Sequence, residues 1–183
     1  MAKNDHPQAL CFLDSMTRHG QREAAEAFAG AHSLAQSADG NEVFAWAKSV
    51  CAFLDENYAD ETVRAIRMDC ACGPEAGQNA EIRSLYESET DPRSFVEKTN
   101  ALDLGFSLEY DGEAYYLIYP RCYCPCVNGD PGPLSKAWCY CTLGYSKRMF
   151  EEILGTEVRA ELLSSVKTGG ETCRIRILPE NRA

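Results

Sequence analysis

The stretch Phe106-Ser107-Leu108-Glu109-Tyr110-Asp111-Gly112-Glu113-Ala114-Tyr115-Tyr116-Leu117-Ile118-Tyr119 marks the point where the 183-residue chain changes character. Two β-rich runs flank an Asp-Gly pair, and that pair supplies the positive φ angles a tight hairpin turn requires. On the C-terminal side, Leu143 to Leu154 returns to helical spacing, with Met149, Phe150, Ile153 and Leu154 on one side and Gly155 as the stop. A second hairpin follows. Val158, Ala160 and Leu162 alternate with charged residues, Gly169-Gly170 is read as the turn, and Cys173, Ile175 and Ile177 alternate with Thr172, Arg174 and Arg176.

Upstream of Gly105 the apolar residues recur every three or four positions. Ala9, Phe12, Leu13 and Met16 form one stripe, Ala24, Phe28, Ala31 and Ala35 a second, and Val43, Ala47, Val50, Cys51 and Leu54 a third. Further helices are expected over about 60–67, 76–87 and 91–101. The expected fold is therefore α+β in a single domain over 1–183, mainly helical over 1–104, with an antiparallel sheet, one long helix and a Cys-rich loop over 105–183.

With 18 Lys and Arg against 28 Asp and Glu, the net charge is −10, which repels nucleic-acid backbones and anionic membrane surfaces. No apolar run approaches the roughly 20 residues of a bilayer helix. The N-terminus, Met1 to Pro7, lacks the basic and apolar regions of a signal peptide. These features lead to the expectation of a cytoplasmic protein with a small-molecule ligand, no nucleic-acid or membrane partner, and a homodimer as an option.

Ten cysteines are present, and in a reducing compartment such a count points to metal ligands or reactive thiols rather than to disulfides. Five lie within twenty residues: Cys122-Tyr123-Cys124-Pro125-Cys126, a Gly/Pro-rich bend, and Cys139-Tyr140-Cys141. Where Cys-x-Cys is extended, both sulfurs share a face, and Pro125 favours an irregular loop of the kind that surrounds a metal knuckle. Residues 121–150 carry a net charge of +3 in a chain of −10, which favours thiolates. Cys122, Cys124, Cys126, Cys139, Cys141 and Cys173 are therefore the candidate metal ligands. Zinc is the expected ion and an iron–sulfur cluster the alternative, since both take thiolate donors. Cys11 and Cys51 sit within helical stripes as core residues, and Cys70 and Cys72 form an unassigned pair past a helix end.

From Cys139 to Ile177, a Cys before Gly144-Tyr145, an amphipathic helix ending at Gly155, a strand, and Gly169-Gly170 before Cys173 resemble the small-ligand domain of the 4-vinyl reductase superfamily. That superfamily includes the L-2-amino-thiazoline-4-carboxylic acid hydrolase-like proteins. The resemblance implies a zinc held by a Cys before the helix, a Glu and a Cys on the next strand, and a Cys after the turn. Cys139 and Cys173 match and Glu161 is offset by one residue, while Ser164 stands where the remaining Cys belongs. A turn centred on Gly169-Gly170 would pair Val166 with Cys173 and leave Glu161 too distant to share a ligand shell.

Three functional readings follow. The first is a small-molecule-binding or sensing domain with a cysteine-ligated zinc. The second is a hydrolase of a small sulfur- or nitrogen-containing acid, using a thiolate or metal-bound water. The third is an iron–sulfur or thiol redox protein. His6, His19 and His32, all in the first helical segments, are read as surface residues, and phosphate-loop, nucleophile-elbow and dinucleotide motifs are lacking.

Overall fold

The computed structural model describes residues 4–70 and 76–180. Among them the order is α1 (Pro7–Arg18), α2 (Arg22–Ala31), α3 (Gly40–Asn57), α4 (Asp60–Met68), α5 (Ala76–Ser88), α6 (Pro92–Ala101), β1 (Ser107–Tyr110), β2 (Tyr115–Tyr119), α7 (Lys136–Leu154), β3 (Val158–Ser164), a 3-10 turn (Val166–Thr168) and β4 (Cys173–Pro179). The fold is α+β, as the periodicity implies. Two compact units are present: Met1–Ala71 with Tyr123–Cys141, and Cys72–Cys122 with Thr142–Ala183.

In the first unit the first and third stripes reach the core, whereas of the second only Phe28 is buried, because α2 ends at the exposed Ala31 and turns Ala25 inward instead. Phe12 of α1 stands edge-on to Phe28 of α2 (5.3 Å between ring centroids) and to Trp46 of α3 (5.9 Å). Trp46 in turn meets Trp138 edge-on at 6.2 Å. These are the favoured aromatic geometries, with the positive ring edge against the negative face. Helix α3 starts at a capping box, in which Asp39 accepts from the Asn41 and Glu42 amides and Glu42 accepts from the Asp39 amide.

The second unit holds a four-stranded antiparallel sheet in the order β1-β2-β4-β3. Leu108, Tyr115, Leu117, Val158, Ala160, Ile175 and Ile177 are buried, so strand alternation sends the expected residues to the core. Two turns differ from their sequence reading. The first hairpin pairs Tyr110 with Tyr115 around a four-residue loop, where Asp111 accepts from the Glu113 and Ala114 amides and from the Tyr116 hydroxyl. That side chain replaces the simple two-residue turn. In the second hairpin Ser165 caps the 3-10 turn, so Val166 does not pair with Cys173. Glu161 instead faces Arg176, and Cys173 pairs with Tyr119 of β2.

The longest helix departs furthest. It begins at Lys136 rather than Leu143 and so contains Cys139-Tyr140-Cys141. At about 100° per residue, Cys139 and Cys141 project about 200° apart, which removes the shared sulfur face expected of an extended Cys-x-Cys. Helix formation here is favoured by buried Leu134, Ala137 and Trp138, which stand at three- and four-residue spacing across the helix start.

Among the described residues no helix is long and apolar enough to cross a membrane.

Candidate thiol site

In the first unit, Val63, Ile66, Arg67 and Cys70 share the inner face of α4 and the turn that follows it, because positions three and four apart coincide on a helix. Arg67 is completely buried. Its guanidinium lies over the Trp138 ring at 4.5 Å and near the Phe12 ring at 5.9 Å, while Nη2 makes a long 3.5 Å contact to the Trp138 carbonyl oxygen. Among the described residues Nε and Nη1 have no hydrogen-bond partner. Among the described residues no carboxylate pairs with this cation. The ionisable groups whose charge acts on it are thiols: Cys70, Cys141, Cys51 and Cys124, with Cys11 feeling the same field.

Arginine does not deprotonate in proteins, so the charge persists after burial. Leaving such a charge without its partner costs roughly 3–5 kcal/mol. A thiolate is the counter-ion available in this environment.

Cys124 has the strongest stabilisation of that form. Its carbonyl accepts from the Val127 and Asn128 amides (3.1 and 2.9 Å), a turn favoured by the fixed φ of Pro125. The turn carries Cys126 back toward Cys124. Contact with the Cys126 thiol lowers the Cys124 pKa most, the Cys141 thiol lowers it next, and the Cys126 amide and Trp138 indole N–H act in the same direction against the opposing effect of burial. Among the described residues the buried indole nitrogen has no oxygen or nitrogen partner, which leaves its N–H available to the Cys124 sulfur. The Cys141 thiol is pushed well up by its contact with Cys124 and by burial, so it holds the proton of the pair.

The start of α7 is tied down on the same unit. Asp60 at the first turn of α4 accepts from the Tyr140 hydroxyl at 2.7 Å and forms an ion pair with Lys136 at 2.8 Å, which hold its carboxyl below the usual range.

The expected metal set does not assemble. Cys122 and Cys173 belong to the second unit, and Cys124, Cys126, Cys139 and Cys141 to the first. Cys126 and Cys141 both approach Cys124, yet no group of three or more His, Cys, Asp or Glu among the described residues could hold a metal ion. The zinc and iron–sulfur expectations are therefore corrected: the helix spreads Cys139 and Cys141, and Glu161 is exposed on β3. Cys51 is buried in α3 as its stripe implies, whereas Cys11 is partly exposed and lies against Cys70. Cys72 lies outside the described residues. Arg67 belongs to no recognisable motif, and its signal in the sequence is a basic residue within the stripe 63–66–67–70.

Comparison with solved structures finds H-NOX domains from Shewanella oneidensis. One, a mutant in the Fe(II)CO ligation state, shares 12% identity over 97% of this chain and 99% of its own, with a TM-score of 0.46. Another, a mutant in the Fe(II) ligation state, shares 14% over 97% of each chain, also at 0.46. These scores are too low to establish a shared fold. No curated protein matches the sequence. The 4-vinyl reductase resemblance, confined to the C-terminal part and dependent on a ligand set that does not form, gives way to a family match over the full length. The family model spanning residues 1–183 is DUF6144, a family of unknown function, and the chain belongs to that family.

Proposed function

We propose that this protein is a thiol-based sensing domain for a small oxidant, with Cys124 as the reacting group and Cys141 as its resolving partner. The observation that carries this reading is the fully buried Arg67, which has no carboxylate partner among the described residues and interacts electrostatically with Cys70, Cys141, Cys51 and Cys124. Partial exposure of Cys124 beside a cation is the environment in which a cysteine is both ionised and reachable.

The reaction takes a hydroperoxide as its co-reactant. The Cys124 sulfur attacks the outer peroxide oxygen, an S–O bond forms, the O–O bond breaks, and the alkoxide or hydroxide leaves and takes a proton from water. The Cys141 sulfur then attacks the Cys124 sulfenic acid. A disulfide forms, the S–O bond breaks, and the Cys141 proton leaves with the hydroxyl as water. Two thiols are oxidised and one peroxide is reduced to an alcohol and water.

The test is the pH dependence of iodoacetamide labelling at Cys124, mapped by peptide mass spectrometry on the full chain. Cys124 is expected to label through the acidic range, and Arg67→Met is expected to raise its midpoint by about 1–3 pH units while the protein remains folded by circular dichroism. A wild-type midpoint near the free-thiol value of about 8.5 would sink the reading.

A further inference from the structure

The first unit contains another pair of neighbouring thiols, neither of which takes part in the Cys124 reaction. Cys11 lies on α1 and is partly exposed, whereas Cys70 lies just beyond α4 and is only 2% exposed. The Cys70 thiol donates to the Ile66 carbonyl at 3.4 Å and lies 3.7 Å from the Cys11 carbonyl oxygen, and the Cys11 thiol is the neighbour that most raises its pKa.

The contact is held from both sides. One turn along α1 from Cys11, the Ser15 hydroxyl donates to the same Ile66 carbonyl at 2.7 Å. One turn further, Arg18 pairs with Asp69 at 2.9 Å, and the His19 ring nitrogen lies 3.0 Å from the same carboxylate. Adjacent partners thus fix α1 against the segment that carries Cys70. The groups facing Cys11 are Cys70, Arg67, Arg18 and Asp14. Contact with Cys70 dominates and, with the two arginines, brings the Cys11 pKa down to about 6 against the opposing effects of burial and Asp14. Cys70, buried and donating, keeps its proton.

A partly exposed sulfur in a cationic field, beside a protonated thiol that is already in contact with it, is the arrangement of an attacking and a resolving cysteine. Nε and Nη1 of Arg67, without a hydrogen-bond partner among the described residues, place a buried cation beside both thiols, an observation shared with the Cys124 reading. We propose that Cys11 and Cys70 form a second oxidisable dithiol, closing a reversible disulfide between α1 and the end of α4 at the expense of a hydroperoxide. The Cys11 sulfur displaces alkoxide or hydroxide from the peroxide and becomes a sulfenic acid. The Cys70 sulfur then forms the S–S bond, and the hydroxyl leaves as water with the Cys70 proton.

The proposal shares Arg67 with the Cys124 reading but does not depend on it. The experiment is peptide mapping of the full chain after treatment with hydrogen peroxide, on the wild type and on Cys124→Ser. In both proteins the Cys11 and Cys70 peptides are expected to lose alkylation and reappear as one linked peptide, two hydrogens lighter, which dithiothreitol separates. In Cys11→Ser the linked peptide is expected to disappear. The proposal is overturned if Cys11 and Cys70 remain alkylatable in peroxide-treated wild type, or if the link forms only in protein that retains Cys124. An ordinary Cys124 labelling midpoint with an intact Cys11–Cys70 link would remove the Cys124 reading alone.

Discussion

Arg67 shows how one side chain can define a site that no local motif announces. Its guanidinium lies over the Trp138 ring and near the Phe12 ring, which contributes cation–π attraction, but neither ring supplies a hydrogen-bond acceptor. On the proposed reading the charge is balanced by thiolate, whose negative charge is spread over a large atom. Arg67→Lys is expected to behave differently from a conservative change, because a buried ammonium can lose its proton where a guanidinium cannot. The Cys124 labelling midpoint should then rise toward that of Arg67→Met, and the same alkylation series would show it. Phe12 is the packing counterpart: fully buried and edge-on to Phe28 and Trp46. Phe12→Ala should cost about 3–5 kcal/mol in denaturant unfolding, the range for removing an aromatic side chain from a close-packed core.

Among the elements, α3 and the first hairpin carry the clearest local determinants. Loss of the α3 capping box in Asp39→Ala should destabilise by about 1 kcal/mol, since the Asn41 and Glu42 amides lose their acceptor; thermal unfolding would report it. At the hairpin, two backbone amides and the Tyr116 hydroxyl bring the Asp111 carboxyl down to about 2, with the Ala114 amide contributing most. The folded pKa lies below the unfolded value of about 3.9. The resulting stabilisation is complete above the unfolded value and disappears as pH falls through about 2. In acid titration the stability difference between wild type and Asp111→Asn should be constant near neutrality and shrink toward the acid end. Gly169, at φ 93°, closes the 3-10 turn before β4. Gly169→Ala should cost about 1–2 kcal/mol in chemical unfolding, because a β-carbon at positive φ approaches the following carbonyl.

For the whole molecule, the legible part of the fold was the part written in period. Three- and four-residue spacing identified the N-terminal helices, and two-residue alternation identified β3 and β4. The start of α7 was obscured because Cys-Tyr-Cys following a run of Gly and Pro fits an extended strand as well as a helix; burial of Leu134, Ala137 and Trp138 decided between them. The thiol site was half legible. Cysteine density pointed to the right loop, but the sequence reading placed Cys11 in a core and assigned no role to Arg67. If the Cys124–Cys141 disulfide forms, it closes a short loop and should stabilise the oxidised chain by about 3 kcal/mol. Its unfolding midpoint should then exceed that of the dithiothreitol-treated protein, with Cys141→Ser abolishing the part due to this bond.

Sequence alone determined the α+β class, the inward faces of most helices and strands, and a surplus of thiols in an acidic chain, because these properties follow from period and composition. Tertiary structure alone decided which thiols meet. Cys11, Cys70, Cys124 and Cys141 come from α1, the end of α4, a loop and α7, and residues so separated in sequence are brought around Arg67 by core packing. The zinc and iron–sulfur expectations give way for the same reason. A helix turns Cys139 away from Cys141, and a thiol's chemistry depends on the charges and donors that surround it after folding.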